Sequence, residues 1–194
     1  MSTNEINSVL IENRRFDPPA DFASKARIKM ADLDALNKQA EQDYEGFWAD
    51  QARQHIDWNK PFSKVLDESN APHFKWFEDG VLNVSYNCID RHLADSADKT
   101  AIIFEGEAGD THLISYQRLH DDVCQFANAM KAKGIKKGDR VVIYMPMVPE
   151  AVVAMQACAR IGAIHSVVFG GFSPESIKDR ILDSDCQSVI TADE

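Results

Sequence analysis

The chain has 194 residues, 44% of them hydrophobic, which is enough for one large domain or for a domain with an extension. It carries 31 acidic and 21 basic residues, for a formal net charge of −10. Binding to nucleic acid or to an anionic membrane surface is therefore not expected, because both require clustered positive charge.

The cysteines and the apolar stretches exclude further classes of protein. The four cysteines stand far apart, with no CxxC pair and no cysteine–histidine cluster, so no metal site is expected. They are Cys88, Cys124, Cys158 and Cys186. Cys124 and Cys158 fall in helical apolar patterns and are expected to be buried, reduced thiols. The first residues do not form a secretory signal and no apolar stretch reaches the length of a membrane span, so we expect a cytoplasmic protein.

The first part of the chain, to about His92, has the pattern of a loop-rich, partly helical extension. It is polar and interrupted by prolines, and short helices are predicted at about Asp32–Glu45 and Glu45–His55. It contains all three tryptophans: Trp48, Trp58 and Trp76. Because each tryptophan buries a large area, we interpret them as anchors that hold the extension against a neighbouring domain. An aromatic ligand cage is the alternative, although these rings lack convergent polar groups.

Regular elements begin at about Leu93. Ala101–Glu105 and Leu113–Ser115 are predicted to be two strands of a hairpin. An amphipathic helix is predicted at Tyr116–Lys133, with Ser115 as its N-cap.

A βαβ unit follows. Val141–Met145 is a continuous apolar run, as expected for a parallel strand covered on both faces. Pro149 then begins a helix that ends at Ile161 and is apolar nearly all round, so it is expected to be deeply buried. Ala163–Phe169 is predicted to be a second buried strand, which ends in a double-glycine turn.

One more helix and strand complete the pattern. Ser173 is the expected N-cap of a helix with Pro174 at its first position, and its inner face is predicted to carry Ile177, Ile181 and Leu182. Gln187–Thr191 is predicted to be a third parallel strand. Alternating strands and helices indicate an α/β fold, with a partial parallel sheet and βαβ crossovers after the extension. We place the boundary between residues 92 and 93.

The double glycine, Gly170 and Gly171, is the best candidate for a binding site. It follows a buried strand and precedes a helix, at the end of a parallel sheet where ligands bind in open α/β folds. Without side chains, the glycines let a ligand approach the backbone closely. The pattern is neither the dinucleotide fingerprint GxGxxG nor the phosphate loop GxxxxGK[ST], so a purely structural turn remains open. Glu175 in the following helical turn disfavours a phosphate bound directly there.

Other polar residues have structural interpretations as well as functional ones. We interpret His165, inside a strand, as a hydrogen-bonded core residue, because no nucleophile or carboxylate stands beside it in sequence. Glu150 is interpreted as a residue that stabilises the amino end of its helix. Two sets of charged residues are also candidates. We interpret the triplet Asp90, Arg91 and His92 as an ion-pair seam that holds the extension. We interpret the basic cluster as a solvated turn, with an anion pocket as the alternative; its members are Lys133, Lys136, Lys137 and Arg140.

Several long motifs resemble a known family. The stretch GIKKGDRVVIYMPMVPEAVVAMQACARIGA resembles the beginning of the adenylate-forming acyl-CoA synthetases. The resemblance narrows to the acetyl-CoA synthetases over FWADQARQHIDW, FKWFEDGVLNVSYNCIDRHL and ARIGAIHSVVFGGFSPESIKDRI. It runs from about Phe16 to Glu194. In that family, residues 16–92 correspond to an extension wrapped around the large N-terminal domain, and the residues from Leu93 onward begin that AMP-binding domain.

This resemblance implies an enzymatic activity. It also implies that most of the catalytic and substrate-binding residues lie outside the part of the family's sequences that matches this chain. Enzymes of this family join acetate to ATP with Mg²⁺, and coenzyme A then attacks the acetyl-adenylate to give acetyl-CoA and AMP. The turn that matches Phe169, Gly170 and Gly171 lies beside the coenzyme A nucleotide. The phosphate loop, the acyl pocket, the ribose-binding aspartates and the catalytic lysine come later in the family's sequences. We therefore expect no catalytic residue and no metal ligand here, and a chain that is the N-terminal portion of a synthetase and is inactive alone.

Three alternatives remain open at this point. A propionate–CoA ligase would share the YMPM and HSVVFGGF stretches. A module that binds the adenine end of coenzyme A without chemistry would also explain the glycine turn. A structural segment without a function of its own would present an unpaired sheet edge and tend to associate.

Overall fold

The computed structural model describes residues 15–193, so the opening segment in which no secretory signal was found lies outside the described residues. The chain divides into two compact units, Met1–Asp50 and Gln51–Glu194. The boundary between residues 92 and 93 stays a prediction. No helix in the described part is long and apolar enough to cross a membrane.

The first unit is helical. Its helices are α1 (Ala20–Ser24), α2 (Met30–Gln42) and the beginning of α3 (Tyr44–His55). The two helices predicted on either side of Glu45 are confirmed, with the break at Asp43. The Asp43 backbone leaves the helical region, and its side chain accepts a 2.9 Å hydrogen bond from the Gly46 amide.

The segment between α3 and the hairpin is loop-rich, as predicted. It contains the two-residue antiparallel strands β1 (Leu66–Asp67) and β2 (Lys75–Trp76), then α4 (Val84–Cys88), a 3-10 turn (Asp90–His92) and α5 (Leu93–Ser96). Trp58, Phe62 and Phe77 form an aromatic cluster within this segment, with ring centroids 4.5–5.7 Å apart. Trp76 is 38% exposed. Trp58 thus packs on aromatic rings of its own segment. That the tryptophans hold the extension against a neighbouring domain stays a prediction.

The hairpin and its helix are confirmed. Strands β3 (Thr100–Glu105) and β4 (Thr111–Ser115) pair antiparallel and lead into α6 (Tyr116–Ala132). The Ser115 hydroxyl accepts a 3.2 Å hydrogen bond from the Arg118 amide, as expected of an N-cap. The helix buries its apolar stripe, whose members are Leu119, Val123, Ala127 and Met130.

The parallel sheet has three strands in the order β6-β5-β7. They are β5 (Arg140–Met145), β6 (Ile164–Phe169) and β7 (Ser188–Thr191), connected by α7 (Pro149–Ile161) and α8 (Pro174–Ser184). Val141, Val142 and Ile143 in the central strand are fully buried, as predicted for a strand covered on both faces. Val141 and Ile143 pack with α6 and α7, whereas Val142 packs with α8. This arrangement confirms the α/β fold.

Edge position explains why strand β6 is less buried than predicted. Strand β6 borders only β5 among the described strands, so of its six residues only Val168 is buried. His165 is exposed and is not a core histidine.

Leu182 is 67% exposed, whereas Ile177 and Ile181 pack inward as predicted. Ser173 precedes α8 as its N-cap residue, but its side chain makes no capping hydrogen bond. In α7 only Ala154, Ala157 and Cys158 are fully buried.

The segment before the hairpin is joined to α7 by polar contacts. Asn83 donates a 3.0 Å hydrogen bond from its side-chain amide to the carbonyl of Arg160. The Arg160 guanidinium in turn donates to the Asp90 carboxylate. Arg91 donates to the His55 carbonyl at 2.9 Å and forms an ion pair with Asp57, at 3.7 Å from a carboxylate oxygen. These contacts confirm the predicted ion-pair seam for Asp90 and Arg91, while His92 instead packs its ring on Tyr116.

Candidate functional site

A cavity of about 530 Å³ lies where the parallel strands end. Strand β5 contributes Tyr144 and Met145, β6 contributes Phe169, and the turn contributes Gly170 and Gly171. Parallel strands bring their carboxyl ends to one edge of a sheet, which is where open α/β folds bind ligands. The structure therefore brings the three predicted residues together in one concave site.

Gly170 is tightly enclosed. A Cβ atom at this position would lie 3.2 Å from the carbonyl oxygen of Met145 and 3.4 Å from the Pro146 nitrogen, both backbone atoms of the neighbouring chain segment. At Gly171 the nearest atom would be a ring carbon of Phe169 at 3.4 Å, an ordinary contact. The first glycine therefore allows the turn to lie against the end of β5, whereas the second leaves room beside the cavity.

Tyr144 fixes the double-glycine turn by hydrogen bonding, a role that the sequence pattern did not predict. The Tyr144 hydroxyl is 2.9 Å from the Gly170 carbonyl oxygen and 3.3 Å from that of Phe172, and it donates to them. The signal that could have identified it is a phenol at the carboxyl end of an otherwise apolar strand, where its hydroxyl needs a partner.

Two phenylalanines flank the glycines. The rings of Phe169 and Phe172 are 6.2 Å apart in an edge-to-face arrangement and are 57% and 50% exposed. Exposed aromatic faces beside glycine backbone suit a flat, partly apolar group such as a nucleotide base.

The charge of the cavity favours such a group over a phosphate. Among the described residues that line it there is no lysine or arginine, and Glu107 is present. Glu175 occupies the first turn of α8, as expected from the sequence. The phosphates of a ligand would therefore need cations from elsewhere.

The other predicted candidates lie away from this cavity. His165 is exposed on β6, opposite Val141 at the amino end of β5. Glu150 is exposed in the first turn of α7, where a carboxylate stabilises the helix dipole. In the part of the chain that is described, no group of three His, Cys, Asp or Glu side chains could hold a metal ion.

Three of the four predicted cations, Lys133, Lys136 and Arg140, line one cavity of about 410 Å³, which also contains Asp139 and Asp185. Arg140 donates to the Ser184 carbonyl at 2.8 Å and to the Asp185 carboxylate at 2.8 Å. Lys136 and Lys137 line a separate cavity together with Lys131 and Arg160, which sequence analysis did not include. The participation of Lys131 and Arg160 could not be predicted from local sequence spacing, because it depends on how α6 and α7 pack.

All four cysteines are free. Cys158 is fully buried as predicted, and this burial raises the pKa of its thiol to about 11. Cys124 is only half-buried, contrary to the prediction.

Two family models match consecutive parts of the chain. Residues 33–88 match the acetyl-coenzyme A synthetase N-terminus, and residues 89–194 match the AMP-binding enzyme family. The second match covers more than half of the chain.

Curated relatives align with nearly all of the chain. It is 60% identical over 190 residues to an acetyl-coenzyme A synthetase of Thiobacillus denitrificans and 59% identical over 190 residues to one of Nitrosomonas europaea, with 97% of this chain covered in each case. It is 60% identical over its whole length to one of Laribacter hongkongensis. The chain spans only 29–30% of the length of these relatives.

Proposed function

Because this chain belongs to the AMP-binding enzyme family, we propose that it supplies the N-terminal portion of an acetate–CoA ligase (AMP-forming). The observation that carries the proposal is the continuous identity of about 60% with acetyl-coenzyme A synthetases, together with a match to the model of their N-terminus. Residues 1–92 would form the extension and residues 93–194 the first part of the AMP-binding domain.

The proposed reaction has two steps. Acetate attacks the α-phosphate of ATP to give acetyl-adenylate and diphosphate, and the coenzyme A thiol then displaces AMP. A free carboxylate is a poor acyl donor, and adenylation turns its oxygen into a good leaving group. Mg²⁺ would neutralise phosphate charge in the first step. The family's phosphate loop has no counterpart in this sequence, and we assign no catalytic residue to this chain.

The part that this chain would play is to seat the nucleotide of coenzyme A. Phe169 and the backbone of Gly170 and Gly171 would form one wall for the base, supported by the hydrogen bond from Tyr144. The absence of lysine and arginine from the described lining is consistent with phosphate contacts made by the remainder of the enzyme. The substrates of the whole enzyme would be small molecules in the cytoplasm, with no role for nucleic acid or a membrane.

A chimaeric enzyme tests this function. Residues 1–194 of this chain replace the matching segment of the Thiobacillus denitrificans acetyl-coenzyme A synthetase, to which they are 60% identical. We expect acetate-, ATP- and CoA-dependent formation of acetyl-CoA within about tenfold of the parent rate, a difference of about 1.4 kcal/mol in activation free energy. The parent enzyme is the positive control, and thermal unfolding confirms that the chimaera is folded. A folded chimaera that makes no acetyl-CoA would contradict the proposal.

A further inference from the structure

A second cavity, of about 670 Å³, lies beside the carboxyl ends of α6 and α7 and is lined by four cations. They are Lys131, Lys136, Lys137 and Arg160, and we refer to this site as the cationic cavity. No aspartate or glutamate is among its described lining residues. Cys124 also lines it.

The positive charge of the cationic cavity is larger than the partial negative charge at the carboxyl ends of α6 and α7. Asp90 pairs with Arg160, which leaves three lysines without a carboxylate within ion-pair distance among residues 15–193. The carbonyl ends of α6 and α7 together amount to about one negative charge, so about two positive charges remain. In a chain of net charge −10, this is a local concentration of positive charge that attracts anions.

The thiol that faces this cavity has a base beside it. The Cys124 sulfur is 3.5 Å from Nε2 of His120, one helical turn earlier. Nδ1 of the same ring is 3.2 Å from a carboxylate oxygen of Asp121, and Nε2 is 3.4 Å from one of Asp90. A nucleophile, a base and a carboxylate that orients the base are the parts of an activated cysteine. Neither carboxylate lines the cavity.

We propose that Cys124 is a modification site for anionic low-molecular-weight disulfides. The cationic cavity attracts these disulfides, and His120 activates the Cys124 thiol that attacks them. The thiol proton passes to Nε2 of His120, and the sulfur attacks one sulfur of the disulfide. Its S–S bond breaks, a mixed disulfide forms, and the departing thiolate takes the electron pair and then the proton. Cys124 is oxidised and the departing sulfur is reduced, so no other reagent is needed.

Cys124 is the cysteine best placed for this reaction. Cys158 is fully buried, and Cys186 is 8% exposed with its sulfur in contact with the Arg140 and Ser188 carbonyls. Cys88 is exposed, but it does not line the cationic cavity. Cys88 therefore serves as an internal reference for the reactivity of a thiol without this environment.

The experiment compares two disulfides on the whole chain. Glutathione disulfide is the anionic reagent and hydroxyethyl disulfide the neutral one, and peptide mapping by mass spectrometry gives the rate at each cysteine. We expect the ratio of anionic to neutral rates to be about tenfold higher at Cys124 than at Cys88 in the same sample, and to fall in high salt. Equal ratios at the two cysteines, or no adduct at Cys124, would overturn the proposal.

Two variants separate steering from activation. Lys136→Glu should lower the ratio at Cys124 several-fold, whereas Lys178→Glu on α8, with the same change of net charge, should not. His120→Asn should slow both disulfides at Cys124 equally and leave their ratio unchanged. A ratio that is unaffected by Lys136→Glu, or rates unaffected by His120→Asn, would contradict the corresponding part of the proposal.

Discussion

The Tyr144 hydroxyl donates a 2.9 Å hydrogen bond to the carbonyl oxygen of Gly170. It connects the central strand β5 to the turn after the edge strand β6, although the two residues are 26 positions apart in sequence. The shape of the candidate binding wall thus depends on two strands at once. A change in either strand can alter the wall without touching a ligand.

The two glycines of the turn should respond differently to alanine. At Gly170 the new methyl group meets backbone atoms of Met145 and Pro146 at 3.2–3.4 Å, so the strand end must shift, and we expect Gly170→Ala to lower the free energy of unfolding by about 1–3 kcal/mol. Gly171→Ala is the matched control and should change it by less than about 0.5 kcal/mol, as is usual for a surface site. Urea unfolding of both variants measures the difference. Equal destabilisation would show that the close approach at Gly170 does not constrain the turn.

The pair of Asp90 and Arg160 should contribute measurably to stability. Their side chains are 18% and 22% exposed, so the pair is intermediate between an exposed and a fully buried ion pair. Asp90→Asn should therefore lower the free energy of unfolding by about 2 kcal/mol. A double-mutant cycle with Arg160→Gln should give a coupling energy of about 1 kcal/mol or more. The exposed pair of Arg140 and Asp185 is the control, with a coupling energy of about 0.5 kcal/mol or less. Similar coupling for both pairs would show that partial burial adds nothing to the first.

Stability should depend on pH through Asp79. The Ser63 hydroxyl and the Lys64 and Ser63 amides donate hydrogen bonds to its carboxylate and lower its pKa from 3.8 to about 2. Because the folded-state pKa is the lower one, the stabilisation is present above pH 3.8 and is lost as the pH falls towards 2. Asp79→Asn should therefore be less stable than the wild type at pH 6, and the difference should narrow below pH 4. Urea unfolding across this range measures it, with exposed Asp98→Asn as control; a constant difference would contradict the assignment.

The outer edge of β6 should promote self-association. Val167 is 46% exposed on this six-residue strand, and no described strand covers its outer side. Unpaired, apolar strand edges pair with other chains, and a lysine on them prevents this. Val167→Lys should raise the concentration at which light scattering detects association, and Val189→Lys on the shorter strand β7 should do so less. A wild-type chain that stays monomeric at high concentration would argue against this liability.

Local patterns predicted the elements well because their causes are local. The cap at Ser115, the proline that begins α7 and the apolar run of β5 each depend on neighbouring residues only. The exposure of His165 could not be predicted in this way. It depends on strand order, which places β6 at an edge, and that order is a property of the whole sheet.

The candidate site shows the same division. Gly170 and Gly171 could be identified because a double glycine between a strand and a helix is a local signal. The hydrogen bond from Tyr144 and the participation of Arg160 in the cationic cavity arise from packing between distant segments. Periodicity carries no information about such contacts.

The proposed role of the glycine turn is tested most directly by separating the two half-reactions in the chimaeric enzyme. Gly171→Leu places a side chain beside the cavity at a position where a Cβ atom meets only ordinary contacts. The account predicts that acetate-dependent exchange of diphosphate into ATP continues at the unsubstituted rate, while CoA-dependent release of AMP falls by about tenfold or more, or about 1.4 kcal/mol. Equal loss of both half-reactions, or no loss of the second, would contradict the claim that this turn faces coenzyme A.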